Sequence, residues 1–75
     1  MEHDELVQAA REARIIGNIR HEASREVAIA IALVLGRTDW LEDLGLSMRE
    51  ALTQMGEKRV TIIAGAKLTL RREAN

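Results

Sequence analysis

Apolar and small residues recur at Leu6, Ala9, Ala10, Ala13, Ile16, Gly17, Ala23, Val27, Ala30, Ile31 and Val34. That is helical spacing. The stretch from Asp4 to Leu35 is also rich in Ala, Glu, Arg, Leu and Ile, mostly good helix formers. The pattern predicts a long N-terminal helix within residues 1–35, with a weak point at Gly17-Asn18 where it kinks or divides in two. Gly36 supplies its C-terminal cap. The second half, Val27–Leu35, is apolar on every side and must be covered all round, by the rest of the fold or by a second subunit. Its large residues alternate with smaller ones, so a buried strand competes. Three alanines and the helical lead-in favour helix. Val27, Ile31 and Val34 are the candidate residues of an oligomer interface.

Beyond Gly36 the pattern shortens. Thr38 or Asp39 is placed to cap a short helix to Leu44, with Asp39 and Glu42 in capping-box spacing. Trp40, Leu41 and Leu44 form its inner face; Asp39, Glu42 and Asp43 form its outer face. The tight turn Leu44-Gly45-Leu46-Ser47 follows, and Ser47 with Glu50 makes a second capping box. Met48, Ala51, Leu52 and Met55 then fall on one helical stripe, and Gly56 ends the helix. From Arg59 the period becomes two. Val60, Ile62, Ala64, Ala66, Leu68 and Leu70 alternate with Arg59, Thr61, Ile63, Gly65, Lys67, Thr69 and Arg71, which predicts a β-hairpin turning at Ala64-Gly65-Ala66. A helix from Glu57 to Glu73 is the competing reading. The expected fold is therefore mainly α: a long N-terminal helix, two short helices joined by a tight turn, and a C-terminal β-hairpin. An all-α bundle is the alternative.

Composition narrows this picture. The 75 residues make one domain, with residues 38–72 forming a helix-turn-helix plus hairpin unit. A chain this short buries only about 60% of the surface its unfolded form exposes. It has no cysteine to staple it, so a homo-oligomer is the expected remedy. The acidic start, Met-Glu-His-Asp-Glu, is no signal peptide. The longest apolar run, Val27–Gly36, falls far short of the ~20 residues of a membrane span. A cytoplasmic protein without a membrane role is expected.

Charge is unevenly spread. Residues 1–44 carry nine acids against five arginines, a balance of −4, and residues 45–75 carry six bases against three acids, a balance of +3. An anionic partner would sit on the second half. Catalytic chemistry finds little support. His21, Glu22 and Glu26 resemble a ligand cluster, but on a helix His21 and Glu22 diverge by about 100°. Ser24 lies three residues from His21 without an acid to orient the imidazole. No phosphate loop or nucleotide fingerprint is present. No cofactor, metal site or small-molecule substrate is expected, and the chain is read as a non-enzyme.

The turn Leu44-Gly45-Leu46-Ser47, with Ala51 at a small core position, resembles the winged helix-turn-helix DNA-binding proteins. The resemblance spans about residues 27–72, and its specific part is short. It implies a regulator of transcription binding double-stranded DNA. Arg49, Thr53 and Gln54 would then reach base edges. Lys58, Arg59, Lys67, Arg71 and Arg72 would meet phosphates. Two features depart from the family: the Thr38–Leu44 helix is short, and its outer face is acidic. The other expectation is a protein-interaction module: an inhibitor, an antitoxin-like partner or a subunit of a helical assembly. The all-round apolar helix and the acidic face motivate it.

Overall fold

The computed structural model describes residues 1–20 and 22–73. Four helices follow one another: α1 (His3–Ile16), α2 (Arg25–Leu35), α3 (Thr38–Asp43) and α4 (Met48–Glu73). No strand occurs among the described residues.

The predicted N-terminal helix divides. Gly17 takes the left-handed conformation (φ 83°) at the end of α1, and its N–H bonds to the Ala13 carbonyl at 2.8 Å. Asn18 turns its side-chain oxygen to the Ile19 N–H at 2.8 Å. Ser24 then starts α2: its hydroxyl accepts from the Val27 N–H at 3.2 Å. A stop and a start seven residues apart are stronger than the helix propensity between them.

α2 is the centre of the molecule. Every residue from Ala28 to Val34 is buried, because α1, α3 and α4 all pack on it. The all-round cover that Val27–Leu35 requires is thus largely supplied inside one chain. Ile31 and Val34, candidate interface residues, are 3% exposed within the subunit. Val27 is only half-buried.

α3 forms where expected, with Trp40 and Leu41 buried. Neither Thr38 nor Asp39 caps it; Arg37 holds the cap position without a side-chain bond. The turn into α4 forms as read. Gly45 (φ 77°) provides a conformation that L side chains rarely adopt, and Leu46 is buried beneath it. Ser47 and Glu50 exchange hydrogen bonds, each 3.2 Å, between the side chain of one and the backbone N–H of the other.

The expected C-terminal hairpin is absent: the tail is the long second part of α4. Its sequence carries two periods at once, and Ile63, Ala66 and Leu70, which are buried, fit the helical one. A helix satisfies its own backbone groups, whereas an isolated two-stranded hairpin is marginal in water. Thr61 and Thr69 fit the helix by donating their hydroxyls to the carbonyls of Glu57 and Gly65, each at 3.0 Å. Ion pairs of Arg59 with Glu26 and of Arg11 with Glu73 tie it to α2 and α1. The winged part of the family resemblance therefore has no counterpart here. At Gly56 the helix breaks (φ 79°, ψ 166°), and the two segments change direction there.

Candidate interaction surface

The seam between α1 and α2 is open along one side. α1 contributes Leu6, Ala9 and Ala13 to it, and α2 contributes Val27 and Ile31. Alanines on α1 leave room where larger side chains would close the seam. The result is two adjoining depressions of about 240 and 400 Å³, which share Ala9 and Val27 as walls. Ala23 closes one end, and Met1 lies at the other, 38% exposed.

The rim of this trough is acidic. Glu12 faces Arg20 at 3.6 Å, and Glu26 is paired with Arg59. Glu5 and Glu22 also line it and form no ion pair with any described residue. Leu6, Ala13 and Ile31 are at most 3% exposed, so the accessible floor is mainly Ala9, Ala23 and Val27. That aliphatic floor under a net negative rim suits an amphipathic, basic segment. The sequence named Val27 and Ile31 for an interface; their partners Ala9 and Ala13 were read only as helix periodicity. Nothing in the sequence shows that these alanines lie opposite Val27.

The residues assigned to DNA are distributed otherwise. Arg49, Thr53 and Gln54 are all exposed on the first segment of α4. Arg49 and Thr53 are four residues apart on one face, and the Thr53 hydroxyl donates to the Arg49 carbonyl at 2.9 Å. Gln54 is turned about 100° from Thr53, and it lines a depression with Arg25, Glu26 and Arg59 beside α2. Lys58, Lys67, Arg71 and Arg72 are exposed beyond the break and form no ion pair with any described residue. They do not make one patch. Lys67 and Arg71 lie towards α2, lining a groove with Arg14, Val34 and Leu35, and Arg72 lies on the other flank. Arg59 is engaged by Glu26.

The acidic face of α3 is partly neutralised. The Arg37 guanidinium bonds both carboxylate oxygens of Asp39, at 3.0 and 2.8 Å, and stacks on Trp40 with 4.3 Å to the ring centre. That hydrogen bonding holds the Asp39 carboxyl below its ordinary pKa. Asp39, Glu42 and Asp43 remain exposed.

Among the described residues no polar or charged residue is buried, and no three His, Asp or Glu side chains converge. The reading of His21 lies outside the described residues. No described helix is long and apolar enough to cross a membrane. No protein-family model, curated protein or solved structure matches this chain.

Proposed function

We propose that this chain is a non-enzymatic protein-interaction module whose α1–α2 trough receives a basic amphipathic helix. The observation that carries the reading is the open, alanine-floored seam with Glu5 and Glu22 on its rim, neither in an ion pair with a described residue.

The test is NMR titration of the labelled protein with two model helical peptides, one of Lys and Leu, the other of Glu and Leu. The basic peptide is expected to shift Ala9, Ala13, Val27 and Ile31, and the acidic one to leave them unmoved. Equal response to both, or none to either, would overturn the proposal.

Duplex-DNA binding is the second reading. The observation in its favour is the turn itself: Gly45, buried Leu46 and the Ser47–Glu50 box present Arg49 and Thr53 to solvent on one helix face. Association with duplex DNA should then weaken steeply with salt, as phosphate contacts release counterions. Arg49→Ala should reduce it further. No binding at low salt to random genomic fragments removes this reading.

A further inference from the structure

The trough and the outer face of α4 complement each other. Ala64 and Leu68 lie one turn apart on that face, both exposed, Leu68 at 49%. Arg71 at i+7 from Ala64 and Arg72 at i+4 from Leu68 continue this ridge, Lys67 flanks it, and Thr61 and Glu57 lie on it towards the break. None of the three bases pairs with a described residue. A face on which bases outnumber acids complements a trough rim on which acids (Glu5, Glu12, Glu22, Glu26) outnumber bases (Arg20, Arg59). One chain cannot bring the two together. Ile63, Ala66 and Leu70, on the opposite face of α4, are the residues packed inwards, so Ala64 and Leu68 point away from the chain's own α1 and α2.

We infer that the trough of one copy receives the outer face of α4 from a second copy, head to tail. This rests on the interaction-module reading and names its partner. Because the two patches differ, the contact is heterologous: an open oligomer of any size keeps one trough and one ridge free at its ends, and assembly proceeds to a ring or a filament. The charged flanks lie at the edge of the contact, so association is sensitive to salt.

Sedimentation velocity with light scattering on the full chain tests this. The ridge variant is Leu68→Glu, on an exposed face outside the core. The trough variant is Ala9→Arg, on a half-buried helical position; Glu5→Lys with Glu22→Lys replaces it if circular dichroism shows loss of fold. The wild type is expected to associate reversibly and less tightly as salt rises, and each variant alone to be monomeric. An equimolar mixture of ridge and trough variants should form a dimer and stop there, since one keeps the trough and the other the ridge. A wild type that is monomeric at about 1 mM, a wild-type dimer that closes at two copies, or a mixture that does not pair overturns the inference. If the wild type is monomeric but the Lys–Leu peptide still shifts Ala13 and Val27, only the second-copy partner is lost. If the peptide does nothing either, the module reading falls with it.

Discussion

Two residues hold conformations or charges that their neighbours alone explain. At Gly56, φ 79° with ψ 166° belongs to a region open essentially to glycine. A Cβ there would meet no atom within 4 Å, so a substitution is opposed by the backbone and not by packing. Gly56→Ala should therefore destabilise the fold by about 1–3 kcal/mol, measured as a lowered urea midpoint. The second residue is His3. The Thr69 hydroxyl donates to the Gly65 carbonyl, which leaves its oxygen to accept from His3 Nε2 at 3.0 Å. His3 Nδ1 faces Asp4 at 3.0 Å. Two donating ring nitrogens describe the protonated imidazole, and the hydrogen bond to Asp4 raises the His3 pKa above 6.5. The linkage has one sign. The contribution to stability is complete below the unfolded value of 6.5 and is lost as pH rises through the higher folded value. NMR titration of the His3 ring should show the upward shift, and Asp4→Asn should reverse most of it.

At the scale of elements, caps decided more than propensity. The chain from Asp4 to Leu35 reads as one helix by composition, but Gly17 closes α1 and Ser24 opens α2. The glycine was legible as a weak point. The serine was not, because its box partner is Val27 where a Glu or Gln would have marked it. Ser24→Ala should lower stability by about 1 kcal/mol, read from chemical denaturation, with the loss accompanied by faster amide exchange at Val27. The turn before α4 was fully legible, since Gly45, Ser47 and Glu50 each have a local role. The tail was not. Thr61, Ile63, Thr69 and Leu70 suit either a strand or a helix, and local preference did not separate them. α2 offered a long apolar surface to pack against, and the stripe Ile63, Ala66 and Leu70, at helical spacing, is the one buried in the fold.

For the whole molecule, the central fact is that α2 is enclosed. Domains of this length have a total stability of roughly 4–11 kcal/mol. Ile31 is 3% exposed, and a carboxylate placed there would be buried without a partner, at a cost of several kcal/mol. Ile31→Glu should therefore abolish the cooperative thermal transition followed by far-UV circular dichroism, in a single subunit and regardless of protein concentration. That outcome separates α2 as intrachain core from the surface that α1 leaves open beside Val27. It also explains why an interface read from apolar character alone fell on Ile31 and Val34: the same residues serve a core when three helices of one chain reach them.

What the sequence by itself determined is local: the helical periodicity of residues 4–35 and 48–55, the glycine stops, the Ser47–Glu50 cap and the uneven charge. These depend on residues within one or two turns of each other. Only the tertiary structure decided that the tail is a helix, that α2 is covered within the subunit, and that Ala9 and Ala13 face Val27 and Ile31 across an open seam. Each of those outcomes depends on which surfaces distant segments offer one another, and burial is a property of the pair.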